Sequence, residues 1–265
     1  MNPWNIILLQ PMMNVLIVLY NFLLSEFGLA IIALTLIVNL ALLPLTTKQL
    51  RSTQKMQGLQ PKMAELQKKY ARDRQRLAQE QMRLYRESGM SPTGCIIPLL
   101  VQVPVWIALY QSIIRLLGVT PEDFLSLSQL LYSWPIVHSV LPLDSNFLWL
   151  NLAVPDQTFV LAVLVGVTMW FQQRQLTVQS ADPRQQAQAR MMQWMMPLMF
   201  AFLALSFPSG LALFWVASGI FRIATQYLIT GRGTRMETRI TVSSERDQKL
   251  KKRIEQSVRG DKKEK

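Results

Sequence analysis

The chain has 265 residues, half of them apolar, with positive mean hydropathy, yet 28 Lys and Arg against 16 Asp and Glu leave a formal charge of +12. A soluble domain that basic is usually less apolar, whereas a membrane protein with basic flanks fits both numbers. One Cys (Cys95) excludes an internal disulfide framework and a multi-Cys metal site, and one His (His138) excludes most His-based catalysis and zinc chemistry.

The first apolar stretch is WNIILLQPMMNVLIVLYNFLLS, residues 4–25. Its polar residues Gln10, Asn14, Asn21 and Ser25 fall on one narrow helical stripe. Such a helix is read as lying in the membrane interface, with a sixth span as the alternative. It lacks the basic leader and small-residue cleavage site of a signal peptide.

Crossing the hydrocarbon takes about 20 apolar residues in a helix. Residues 27–46, 95–114 and 157–174 qualify, as does the long run 191–230, which FPSG (207–210) breaks into helices near 193–208 and 210–230. The expected fold is therefore an all-α polytopic membrane protein with five transmembrane helices. The first span carries an amide, Asn39, at its centre and Pro44 near its end, and the first Lys of the chain, Lys48, follows.

Charge sets the expected orientation. Residues 47–94 hold eleven Lys and Arg against four acids, and the segment after Thr230 holds twelve against six. The connection 175–192 has Arg184 and Arg190 against Asp182. Residues 1–47 have no Lys or Arg, and 115–156 has Arg115 against Glu122, Asp123, Asp144 and Asp156. The positive-inside rule puts the basic segments in the cytosol, and five spans with the N-terminus outside and the C-terminus inside satisfy every loop.

Within 47–94, Met56, Leu59, Met63, Leu66 and Tyr70 recur at spacings of 3 and 4, a coiled-coil seam that Pro61 interrupts near Gln60. A second run has Leu77, Ala78, Met82, Leu84 and Tyr85, and Gly89 is a candidate C-cap. The pattern predicts a cytosolic helical hairpin. In the external loop 115–156, TPEDFLSLSQLLYSW starts a helix with Thr120 as N-cap and Pro121 at the first turn, and Trp149 is a candidate interface anchor. The basic tail 231–265 is poor in large apolar residues, so little stable structure is expected there. Its charge suits anionic lipid or RNA.

Four blocks arrive in a familiar order: LLPLTTKQLRSTQKMQGLQPKM (42–63), GCIIPLLVQVPVWIALY (94–110), GVTMWFQQR (166–174) and FPSGLALFWVASGIF (207–221). Through them residues 3–230 resemble the YidC/Oxa/Alb family of membrane protein insertases. The resemblance is to a minimal bacterial form, without the large extracytoplasmic domain of Gram-negative members or a lipobox Cys. It implies a multi-pass protein of the bacterial cell membrane that moves nascent membrane-protein segments into the bilayer. The path would be a hydrophilic groove open to cytosol and lipid, with no ATP hydrolysis, enzyme activity or cofactor. Implied partners are nascent membrane proteins, the ribosome through the basic tail, anionic lipids and, for some substrates, the Sec translocon.

Polar side chains within spans usually face a cavity or one another. The candidates for the groove are Asn39, Gln102, Gln173, Ser218, Arg222 and Gln226, with Thr168 and Gln172. By the family match Gln173 and Trp215 line it. The alternative for each amide or hydroxyl is a hydrogen bond between helices. Family members usually carry a groove Arg five residues before the matched Pro, where this chain has Asn39. Arg222, which counts to the same depth of about 18 Å in the fifth span, is the expected carrier of that charge, with Asn39 as its hydrogen-bonding neighbour. The alternative is that Arg222 snorkels to the headgroups. Five Met in 191–199 read either as an adaptable surface for substrate helices or as filling around a Pro197 kink. A small transporter or channel subunit is the rival function; the chain lacks the internal repeat such proteins show. An intramembrane enzyme would need a nucleophile with a base, or metal ligands, which the spans lack.

Overall fold

The computed structural model describes residues 3–88, 97–118, 127, 130–134, 142–176 and 183–229. A π-helical turn over Asn5–Leu9 leads into α1 (Gln10–Phe22). Next come α2 (Phe27–Ala41), α3 (Leu43–Gly58), α4 (Gln60–Lys69), α5 (Arg74–Glu87) and α6 (Ile97–Leu117). A short antiparallel hairpin pairs β1 (Asn146–Phe147) with β2 (Leu150–Asn151). Helices α7 (Val160–Leu176), α8 (Pro183–Ala204) and α9 (Ser209–Ile229) complete the order. Two compact units divide the chain at Met1–Ile223 and Ala224–Lys265.

By length and composition, Asn5–Phe22, Leu100–Leu117 and Ser209–Ile229 are each sufficient to cross a membrane. The pair α2 and α3 is a fourth candidate if taken as one span bent by 61°. The bend follows from Pro44 in the first turn of α3, which removes an N–H from the helical ladder and crowds the carbonyl one turn back. The span placed at 27–46 is thus broken at Leu42, and α3 carries straight on into the polar arm. Helix α7 has 17 residues, and α8 starts with a polar stretch, PRQQAQAR, before its apolar run.

The N-terminal stripe divides in two. Gln10 and Asn14 are buried, while Asn21 and Ser25 are exposed. Asn14 donates to the Leu130 carbonyl at 3.2 Å and accepts from the Tyr132 N–H at 2.9 Å. Its amide is used up inside the protein, so this part of the stripe serves as a docking edge for residues 130–132. Trp4 adds a bond from its indole N–H to Gln111 on α6 at 2.9 Å. Leu24 and Ser25, both at φ 57°, make the turn into α2. That left-handed conformation is uncommon outside Gly, and no sequence signal marked it.

The described residues of the loop 115–156 pack in part against the helices. Leu127 and Leu130 are buried, and Trp134 is half-exposed. Thr120, Pro121 and Phe124, which the sequence places on the same helix, lie outside the described residues, as do Gly89, Cys95, His138 and the tail from Thr230. Phe147 of β1 lies against Gly28 of α2, where a Cβ would overlap the ring. Ser209 ties the start of α9 to the preceding loop by donating its hydroxyl to the Asn151 carbonyl at 2.6 Å and its N–H to Val154 O at 2.8 Å. Gly210 adds an N–H to Leu152 O at 3.2 Å, and a Cβ there would crowd Ile31 and Ile113. Trp149 stands exposed at the hairpin tip beside Leu148.

Asp156 organises the entry to α7. Its carboxylate accepts from the Thr158 hydroxyl at 2.6 Å, the Thr158 N–H at 2.9 Å and the Leu161 N–H at 2.8 Å. Burial opposes ionisation, but these three donors outweigh it and hold the carboxyl below its ordinary value. A depressed carboxyl stabilises the fold above the ordinary carboxylate range, and that contribution is lost as pH falls through the depressed value. Asp156→Ala is expected to cost about 1 kcal/mol at neutral pH. Thermal melting of wild type and variant in detergent should converge as the medium is acidified; a gap that persists unchanged into strong acid would refute the role.

The segment after α2 is helical through α3, α4 and α5. Helices α3 and α4 break at Leu59, one residue before the expected Gln60, with Pro61 in the first turn of α4. Asp73 caps α5 by accepting from Arg76 N–H at 3.0 Å, and α4 packs on α5. Met56, Leu59, Met63, Leu66, Tyr70 and Tyr85 are all half-buried, and α4 and α5 contain no fully buried residue. The seam is therefore shallow.

Candidate functional site

One turn of α9 gathers polar groups from three other helices. Ser218 accepts from Asn39 Nδ2 of α2 at 3.1 Å. Gly219 faces α7: a Cβ on it would stand 3.0 Å from both Gln172 Nε2 and Thr168 Cβ. Arg222 donates from Nη2 to Gln102 Oε1 of α6 at 2.9 Å. Asn39, Gln102, Thr168 and Ser218 are buried, and Arg222 is half-buried.

Each helix offers its polar group for a local reason. Asn39 spends its second amide hydrogen on its own helix, on the Thr35 carbonyl at 2.8 Å, while the Thr35 hydroxyl bonds back to Ile31 O at 2.6 Å. Thr168 bonds back to Leu164 O at 2.7 Å, and Gln172 to Thr168 O at 3.3 Å. These side chains therefore stay close to their helices, and the missing side chain of Gly219 lets α9 approach α7 at that level.

Arg222 does not pair with Asn39 as expected. Asn39 meets Ser218, one turn before Arg222 on the same helix, and Arg222 turns to Gln102. The guanidinium nevertheless lies among protein groups, next to the layer that Asn39 anchors. Among the described residues no carboxylate pairs with it; the ion pairs Arg76–Asp73 and Arg83–Glu87 both belong to the exposed arm. Gln173 is half-buried on α7, and Gln226 falls in the second unit.

Trp215 lies one turn before Ser218, in an aromatic layer rather than the polar one. Its ring meets Phe200 at 5.4 Å, Trp106 at 5.9 Å and Phe207 at 6.1 Å, and Phe207 meets Tyr110 at 5.3 Å. Edge-to-face contacts of this kind tie α6, α8 and α9 together. The aromatic layer stands between the polar turn and the end covered by the β-hairpin. Gly219 is the component that sequence reasoning missed; a Gly inside an apolar span beside Ser218 was the available signal.

The Met side chains of α8 do not fill around Pro197. Met191, Met192, Met195, Met196 and Met199 are all exposed, while Pro197 itself is buried. The gap-filling reading is set aside.

The sequence pattern of the 60Kd inner membrane protein family matches residues 18–236. The chain is 35% identical over 232 residues to membrane protein insertase YidC 2 of Bacillus anthracis, covering 86% of this chain and 81% of that protein. It is 33% identical to membrane protein insertase YidC of Fusobacterium nucleatum, covering 79% of this chain and 88% of that protein. Against membrane protein insertase YidC of Tolumonas auensis, identity is 38%, but only 35% of that longer protein is spanned. Among solved structures, a crystal structure described as active YidC insertase with the first transmembrane domain resolved matches with a TM-score of 0.55 and 26% identity, over 79% of this chain and 43% of that one.

Proposed function

This chain belongs to the 60Kd inner membrane protein family, the YidC-type membrane protein insertases, and from that premise we propose that its polar turn is the base of a hydrophilic groove for substrate segments. It is a membrane protein insertase of the bacterial inner membrane. The groove reading gives it five spans with the N-terminus outside and the C-terminus in the cytosol, closed outside by the β-hairpin and open to cytosol and lipid. Helix α1 then lies in the interface, docked through Asn14. Asn39, Gln102, Gln173, Ser218 and Arg222 line the groove, and Trp215 and its ring neighbours form its outer floor.

The observation that carries this reading is Arg222. A charge near the middle of a span costs about 2.5–3.5 kcal/mol on insertion scales. One neutral amide across a helix interface offsets about 0.6–2 kcal/mol. The difference favours a setting where the guanidinium also reaches water or an arriving acidic segment. No bond in the substrate is made or broken by such a site, and no nucleotide is consumed. A small transporter or channel subunit, the rival reading, is not favoured by relatives that are insertases. The direct test is depletion of the protein while following insertion of a small single-span substrate; normal insertion after depletion would refute the reading.

The arm and tail take separate roles in this account. The arm α3–α5, with its shallow apolar seam, handles substrate or partner proteins, including the Sec translocon. The tail supplies ribosome affinity through phosphate contacts, which release counterions and weaken with salt. Co-sedimentation with ribosomes should therefore fall sharply between low and high salt for the full chain and be weaker at low salt for residues 1–232 alone. Equal binding by both chains at both salts would remove the tail from the account.

A further inference from the structure

We propose that the paired ends of α7 and α8 form a binding site for one anionic phospholipid. Helix α7 ends and α8 begins on either side of a short connection, and the two pack along their length. Trp170 of α7 and Trp194 of α8 join them, with ring centroids 5.9 Å apart. The Arg174 guanidinium lies over the Trp170 ring at 5.4 Å. Arg190 stands one turn before Trp194, and both Arg side chains are exposed. Neither helix contains an Asp or Glu, so both charges lack a carboxylate on their own elements.

Beside this basic and aromatic end, an open surface depression is lined by Ala187, Arg190, Met191, Trp194, Met195 and Leu198. All six lie on one face of α8. The face has one cationic end and an otherwise apolar course. Arg190 is the last residue of the polar stretch PRQQAQAR, and the apolar run begins directly after it. The charge therefore stands at the boundary between water and hydrocarbon. A ligand matching this pattern has a single anionic head and an apolar chain that continues into the bilayer. Flexible Met side chains suit an irregular acyl chain. A free phosphate would use the cationic end but not the stripe, and a substrate helix would have no need of guanidinium groups that face no carboxylate on their own helices.

The test uses the full chain, purified in detergent and delipidated, then titrated in native mass spectrometry with dioleoyl phosphatidylglycerol, dioleoyl phosphatidylcholine or glycerol phosphate. Saturable binding of one phosphatidylglycerol in preference to phosphatidylcholine is expected. Each Arg near the membrane surface contributes about fivefold, so Arg190→Ala should weaken binding about fivefold and Arg174→Ala with Arg190→Ala about 25-fold. The corresponding double Lys variant should retain most of the affinity. Alanine at Arg51 and Lys55, on the exposed arm, should leave this saturable binding unchanged and so exclude a general charge effect. Unaltered phosphatidylglycerol affinity in the double Ala variant, with its melting temperature preserved, would overturn the proposal. Equal affinity for phosphatidylcholine would overturn it, and so would glycerol phosphate binding as tightly as the lipid.

Discussion

Arg222→Ala is expected to lower insertion of substrates with an acidic translocated segment by about 10- to 100-fold, the equivalent of one charge-assisted hydrogen bond of about 1.5–3 kcal/mol. Neutral segments should be nearly unaffected. Arg222→Lys should retain much of the activity, because the role asks for charge rather than bidentate geometry. Asn39→Arg in the Arg222→Ala background should restore insertion, since position 39 meets the same turn of α9 through Ser218. Gln102→Glu is the sharper partner test. It would pair the guanidinium internally and so reduce insertion of acidic segments while leaving the Arg in place. Removing Arg222 should not lower the melting temperature much, because its only hydrogen-bonding partner among the described residues is a neutral amide. A fully active Arg222→Ala variant would end the proposal.

The second large effect concerns the contact between the β-hairpin and α2. Replacing Gly by Ala inside a helix normally stabilises by about 0.8–1.0 kcal/mol. At Gly28 the new methyl would overlap the Phe147 ring, so Gly28→Ala should instead destabilise by about 1–3 kcal/mol through overpacking. In a Phe147→Ala background the same change should become neutral or stabilising. That reversal of sign separates the contact from any general intolerance of the helix. Additive effects of the two substitutions would mean that the hairpin does not press on α2 there.

Much of this architecture was legible in the sequence because it depends on local chemistry. Pro61 breaks a helix where a ring and a missing N–H require it, and FPSG turns the chain ahead of α9; the break before Pro44 was passed over because the apolar run continues through it. Asn39, Gln102, Ser218 and Arg222 stood out as polar groups in apolar runs, and the structure brings them to two adjacent levels of one helix. What the sequence could not give was partner identity. Periodicity places Asn39 and Arg222 at similar depth, but side-chain direction makes Ser218 the partner of one and Gln102 of the other. The N-terminal stripe carried a similar ambiguity. An amide facing headgroups and an amide gripping the outer loop leave the same helical pattern, and only the bonds of Asn14 to 130–132 distinguish them. The two-residue strands were invisible, since their turn uses Leu148 at φ 56° instead of a Gly or Asn. The Met run of α8 left two readings open because Met fits gaps and surfaces alike.

The central claim is that the polar turn of α9 faces an aqueous groove open to the cytosol. With Cys95 removed, a Cys at position 218 should react with a membrane-impermeant thiol reagent applied to inside-out vesicles, as should a Cys at position 75. Neither should react in intact cells whose outer face alone is accessible, where a Cys at position 138 should label. Labelling of position 218 from the cytosolic side only is the predicted result. A position 218 that is silent from both sides, while 75 and 138 label as described, would reduce the polar turn to hydrogen bonds between packed helices and contradict the account.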